Sequence, residues 1–255
     1  MSEKINSIIQ QKLTEIEEKE TIKILHCVES GSRAWGFASP DSDYDVRFIY
    51  VRKRDFYLKL EKTRDVIEWQ LDETLDINGW DLQKALRLLY KSNPTFFEWN
   101  NSSIVYKTTD EWSRINEIIN DYFLVKSGVY HYISTAKTNY HEYLKGEMVR
   151  LKKYFYVLRP ILACKWIIDK NTPPPMLFSE LMKAELEAEM VPIFNNLLDV
   201  KMNTPEVGES KRIDKLNDYI DSAFLSIQKK IDSISNEREV DWQKLNNIFL
   251  KLVEW

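Results

Sequence analysis

The sequence predicts an α/β domain, a mixed sheet with helices, followed by an all-α domain. Three observations carry this. Runs rich in β-branched and aromatic residues are confined to the first half of the chain, at Ile22 to Val28, Asp43 to Val51, Asp65 to Gln70 and Thr74 to Trp80. From Asp110 onward apolar residues recur at helical spacing, with no convincing strand. Only six glycines occur among 255 residues, which favours helix. The expected division is residues 1–109 and 110–255.

In chain order, Glu3 to Glu20 sets Ile5, Ile8, Ile9, Leu13 and Ile16 on one side, a lead-in helix for the sheet. Ile22 to Val28 is a short buried strand, and Gly31-Ser32 falls where it gives way to a turn or helix start. A strand from Asp43 to Val51 alternates its side chains: Asp43 and Asp45 on one face, Tyr44, Val46, Phe48 and Tyr50 on the other. Lys53 to Leu60 is a short helix or loop. After two more strands, Asp81 caps the amphipathic LQKALRLL helix, which Ser92-Asn93-Pro94 stops. Phe96, Phe97 and Trp99 read as core, and Ile104 to Tyr106 as a last short strand. In the second half Lys145, Lys152 and Arg159 recur every seven residues, near one face of a helix that Pro160 breaks or kinks.

Composition narrows the function classes. With 44% hydrophobic and 30% charged residues the chain is an ordinary globular one, and its net charge of −4 excludes a bulk electrostatic grip on nucleic acid. Any polynucleotide contact has to come from a local patch. Cys27 and Cys164 lie in apolar runs and read as buried thiols of a reducing compartment. His26, His131 and His141 complete no zinc set. No signal peptide, membrane-spanning run or lipidation motif is visible, so the expectation is a cytoplasmic protein without a membrane partner. No feature selects an oligomeric state or one nucleotide over another.

The chemistry concentrates in GSRAWGFASPDSDYD, Gly31 to Asp45. Glycine lets a ligand approach the backbone, and N–H groups with the Ser32 hydroxyl suit phosphate oxygens. Asp43 and Asp45, about 7 Å apart on one strand face, suit a pair of divalent ions about 4 Å apart. A phosphate cradle followed by metal-holding carboxylates is what a nucleoside triphosphate with magnesium or manganese requires. A calcium loop would need a longer run of oxygen ligands around its own glycine, and none follows.

The order G-S-x-x-x-G…D-x-D resembles the nucleotidyltransferase domain of the DNA polymerase β superfamily. The wording GSRAWGFASPDSDYDVRFIYV resembles in particular a bacterial and phage branch assigned to RNA repair, as do NGWDLQKALRLLYKSNPTFFEWNNSSIVY and LKKYFYVLRPILACKWI. The resemblance implies metal-dependent transfer of a nucleoside monophosphate from a triphosphate to an acceptor hydroxyl, at an RNA 3′ end, with release of pyrophosphate. It implies that Asp43 and Asp45 hold the metals and that a third carboxylate stands on a later strand between apolar residues. Asp76, between Leu75 and Ile77, matches that context, with Glu68, Asp72 and Asp81 as competitors. Gly31, Ser32 and Arg33 become nucleotide-binding candidates, joined by Lys152 and Arg159, whose basic stripe is expected to face the motif across an interdomain cleft. Two alternatives stay open: nucleotidylation of a protein or small molecule, and a non-catalytic, antitoxin-like nucleotide-binding module.

Overall fold

The computed structural model describes residues 3–72, 74–203, 209–234 and 241–255. Helix α1 (Glu3–Glu20) leads into β1 (Lys23–Glu29), the one-turn α2 (Gly31–Ala34) and β2 (Tyr44–Val51). Then come α3 (Arg54–Tyr57), β3 (Val66–Asp72), β4 (Leu75–Asp81), α4 (Leu82–Tyr90), α5 (Pro94–Asn100), β5 (Val105–Thr108) and α6 (Asp110–Ile119). The remainder is α7 (Val125–Tyr143), β6 (Met148–Arg150), α8 (Lys152–Lys170), α9 (Phe178–Glu185), α10 (Val191–Asn203), β7 (Glu209–Lys211), α11 (Asp214–Ile231) and α12 (Trp242–Leu252). An α/β half followed by a mainly helical half is the fold class expected. Among the described residues no helix is long and apolar enough to cross a membrane.

The chain divides into two compact units. One comprises Met1–Ala34, Asp43–Tyr122 and Glu239–Trp255; the other comprises Trp35–Ser42 and Phe123–Arg238. Neither unit ends at the expected 109/110 division. Helix α6 stays with the sheet because its apolar face, Trp112, Ile115 and Ile119, is buried there, and Trp112 stacks on His26 of β1 at 4.7 Å. Helix α12 also returns to this unit, packing on α4 and α6.

The first unit's sheet runs β3-β4-β2-β1-β5, with β2 and β4 parallel and the other pairs antiparallel. Ile9, Leu13 and Ile16 of α1 join Val46, Phe48 and Tyr50 of β2 in one buried cluster, each such side chain worth about 1.5–3 kcal/mol of burial. On the opposite face of β2, Ile49 and Val51 are buried where α4 packs. Asp45 and Arg47 lie nearer the strand's entrance and are only half-buried. One strand thus presents a core face along its length and a polar face only at its start. Asp81 caps α4 as expected, its carboxylate accepting from Gln83 N–H at 2.8 Å.

The helical unit is built on α8, packed against α7, α9 and α11. Phe155, Leu158, Leu162, Phe178 and Phe194 lie in its core, together with Phe37 from the motif loop, whose ring is 4.7 Å from Phe155 and 5.4 Å from Phe178. Two expectations are corrected here. The second half does contain strands: β6 and β7 pair antiparallel, Val149 opposite Ser210. Lys145 lies outside α8, beyond the end of α7, so no single helix carries the proposed stripe, and α8 continues through Pro160 to Lys170.

Candidate active site

The site is built where β1, β2 and β4 lie side by side. Strand β2 begins at Tyr44, so Asp43 precedes the strand and is exposed, while Asp45 sits on it, half-buried. Because β4 runs parallel beside β2, Asp45 and Asp76 are direct register partners. Glu68 is one strand further out on β3, opposite Asn78, and pairs with Arg64 at 2.5 Å. Asp76 is therefore the carboxylate that topology sets beside Asp45. The side chain of the competitor Asp72 lies outside the described residues.

Arg47, two residues along β2 from Asp45, ties the pair together. One nitrogen, Nη2, donates to Asp45 Oδ1 and to Asp76 Oδ2, both at 2.8 Å. The other, Nη1, donates to the carbonyls of Val46 at 3.1 Å and Asp76 at 3.0 Å. Two carboxylates on adjacent strands thus converge on a single cationic atom. Their hard oxygen donors suit magnesium or manganese, so the chemistry of the pair fits a divalent ion at the point the guanidinium covers. Among the described residues no three His, Cys, Asp or Glu side chains stand ready-grouped as a metal site.

The phosphate-cradle residues are held against the same carboxylate. Gly31 has φ +61°, and a Cβ there would fall 2.1 Å from Asp45 Oδ2. Only glycine lets the loop backbone and the carboxylate lie this close. Ser30 N–H donates to the Asp45 carbonyl at 2.8 Å, and Ser32 follows in the single turn of α2. Arg33 donates through Nε to the Asp43 carbonyl at 2.9 Å, and its guanidinium lies 3.7 Å from the Tyr44 ring centre. Arg33 thereby holds the Asp43 backbone in place.

Beneath them is a residue that sequence reasoning missed. Glu29, last of β1, is fully buried, and its carboxylate accepts from the Asp45 N–H at 2.8 Å and from the Tyr106 hydroxyl. Its own carbonyl accepts from Ser102 Oγ at 2.7 Å. The signal available was a lone glutamate closing an otherwise apolar strand, just ahead of the Gly-Ser pair. Burial pushes Glu29 above the ordinary carboxyl range, with the Tyr106 hydrogen bond opposing. Burial likewise raises Asp45; Arg47 opposes that shift, and the charges of Asp76 and Asp43 add to it.

The two basic candidates of the helical unit have different surroundings. Lys152 opens α8 and is half-buried. Arg159 is only 2% exposed, with its guanidinium 4.6 Å from the Trp35 ring centre and Nη2 donating to the Met176 carbonyl at 3.4 Å. Its position seven residues along the helix from Lys152 does not put it on a basic surface, because α8 is enclosed along much of its length.

A family model described as RNA repair pathway DNA polymerase beta family matches residues 5–251 of the chain. A Bacillus subtilis (strain 168) protein described as uncharacterized protein YcgL is 44% identical over 254 residues, 96% of this chain and 95% of its own length. A crystal structure of a nucleotidyltransferase-like protein from Exiguobacterium sibiricum 255-15 aligns over 96% of this chain and 79% of that one, at 11% identity and a TM-score of 0.32.

Proposed function

The chain belongs to the RNA repair pathway DNA polymerase beta family and is a nucleotidyltransferase, and from that premise we propose that it moves a nucleoside monophosphate from a nucleoside triphosphate to a hydroxyl at an RNA 3′ end. The observation that carries the reading is the convergence of Asp45 and Asp76 on one cationic atom, beside a glycine loop packed on Asp45. Asp43, Asp45 and Asp76 are the residues to hold magnesium or manganese, which when bound would neutralise phosphate charge and acidify the attacking hydroxyl.

The chain's own groups do the rest. Backbone N–H groups around Gly31 and the Ser32 hydroxyl bind phosphate oxygens, and Lys152 is the candidate for a further triphosphate contact. Glu29 holds the Asp45 backbone and Arg33 the Asp43 backbone, so the two carboxylates are placed before substrate arrives. Asp76 has the most open side chain of the bridged pair, 52% exposed against 31% for Asp45, and is the better placed to accept the hydroxyl proton. The hydroxyl oxygen then bonds to the α-phosphorus, the bond to the bridging oxygen breaks, and pyrophosphate departs with that electron pair.

The test is incubation with each α-labelled nucleoside triphosphate, magnesium or manganese, and total RNA or total protein, alongside Asp43→Asn and Asp45→Asn variants. Label on RNA 3′ ends that both variants lose is the expected result. Label on protein or small molecules moves the acceptor to the alternative class. No transfer with any nucleotide, from folded protein that still binds triphosphate, would make the chain a binding module instead.

A further inference from the structure

We propose that Arg47 is a resident cation of the acidic site, occupying the point between Asp45 and Asp76 in the metal-free protein and giving it up when a divalent ion enters. The inference rests on the metal-holding role assigned above to those carboxylates. The geometry is specific. Nη2 stands 2.8 Å from one oxygen of each carboxylate, while Nη1 is bonded to two main-chain carbonyls. The guanidinium is divided in function: one nitrogen anchors it to the strands, the other fills the gap between the acids.

Two positive groups cannot share that gap. A magnesium ion takes oxygen ligands at about 2.0–2.1 Å, and a guanidinium nitrogen hydrogen-bonded to the same oxygens would then face it at short range. Like charges this close repel strongly in a half-buried setting. Nη2 has to leave, and the Nη1 anchors allow it to do so by a small rotation rather than by unfolding the strand. The side chain is 17% exposed, which gives the freed nitrogen a route toward solvent or an arriving phosphate. The exchange has a consequence for binding: bare metal must displace an internal competitor, so its affinity is held down until something else engages the arginine.

Binding of Mn²⁺ alone, followed by the loss of the free-ion electron paramagnetic resonance signal, tests this without any turnover. Arg47→Met should bind Mn²⁺ at least about tenfold more tightly than the native protein, with Arg47→Lys between them. Removing an exposed charge just past the far end of β2, in Arg54→Met, should leave binding within about threefold, which separates displacement from a general change in net charge. The native protein supplies an independent reading. Phenylglyoxal modification of Arg47, located by peptide mass spectrometry, should be slow in metal-free protein and several-fold faster at saturating Mn²⁺. Equal or weaker Mn²⁺ binding by Arg47→Met, or Arg47 reactivity indifferent to Mn²⁺, overturns the proposal alone, provided Asp45→Asn still abolishes binding. If Asp45→Asn leaves Mn²⁺ affinity unchanged, the metal role of the carboxylates falls as well.

Discussion

Adding one methyl group at Gly31 tests whether the Asp45 carboxylate has to lie where it does. At φ +61° an L-residue costs about 1–2 kcal/mol relative to glycine. For a chain of this size that is a fall of roughly 2–8 °C in Tm. The second effect is local. The new Cβ would stand 2.1 Å from Asp45 Oδ2 and 3.0 Å from Cγ, against ordinary non-bonded contact at about 3.5 Å. The carboxylate must therefore retreat by more than about 1 Å, although Arg47 holds it at 2.8 Å and Glu29 fixes its backbone. A displacement of about 1 Å in a positioning group costs on the order of a hundredfold in rate. Gly31→Ala is thus expected to keep most of its stability and lose about two orders of magnitude in kcat, read from urea melts and single-turnover transfer of labelled nucleotide. Gly36→Ala is the comparison, because its φ of +85° imposes similar strain while its nearest neighbour is Leu177 Cδ2 at 3.1 Å. Should Gly31→Ala retain kcat within about threefold of the native value while showing the same stability loss as Gly36→Ala, the placement of Asp45 is not what the glycine protects.

Further outcomes follow from the same geometry. Burial pushes Asp81 up to about 6, so the folded protein binds this proton more tightly than the unfolded chain at about 3.9. Stability contributed here is present at low pH and declines as pH rises from about 4 to about 6; Asp81→Asn should remove about 3 kcal/mol of that decline in melts across the range, and an unchanged decline would remove Asp81 as its source. Glu29→Ala strips a buried acceptor from both the Asp45 N–H and the Tyr106 hydroxyl, and should cost about 2–4 kcal/mol, with a non-additive double mutant alongside Tyr106→Phe. Independent, additive losses would mean the two groups do not act as a pair. Arg159→Ala should destabilise the protein by about 3–5 kcal/mol because it empties a fully enclosed site. Arg159→Met, which keeps the volume, should leave the KM for triphosphate unchanged; a raised KM at normal stability would return Arg159 to nucleotide binding.

The parts of the site legible in the sequence are those set by local period. Asp45 and Arg47 fall on one face because strand side chains alternate, and Asp81 caps α4 because its carboxylate reaches an N–H two residues on. What escaped reading depends on partners distant in the chain. Glu29 gains its role only when β2 lies beside β1 and Tyr106 arrives on β5. The choice of Asp76 over Glu68 rests in the sequence on resemblance alone, and only the strand order, which places β4 and not β3 next to β2, gives it a physical ground. Strands β6 and β7 are three residues each and some sixty residues apart, too short for any periodicity to register. The spacing of Lys152 and Arg159 was read correctly as helical, but spacing does not say which turns of a helix are enclosed.

Local charge gives the site an order of events. At the open face, Asp43, Asp45 and Asp76 set three acids against Arg33 and Arg47, with Glu29 a fourth acid enclosed beneath them. A nearly balanced cluster attracts neither a bare cation nor a bare triphosphate strongly. A triphosphate brings about four negative charges, and a pair of divalent ions carries four positive ones, so nucleotide and metals together would enter almost without net charge. On the proposed function the favoured arrival would therefore be the metal–nucleotide complex, with each component offsetting the other's desolvation cost. Departure follows the same logic. If the proposed reaction holds, Arg47, anchored to both strands through Nη1, would restore the balance once pyrophosphate has left. On this reading the compensating cations sit on a few atoms at the entrance of one strand, so a chain of net charge −4 would need no broad basic surface to hold a polyanionic substrate.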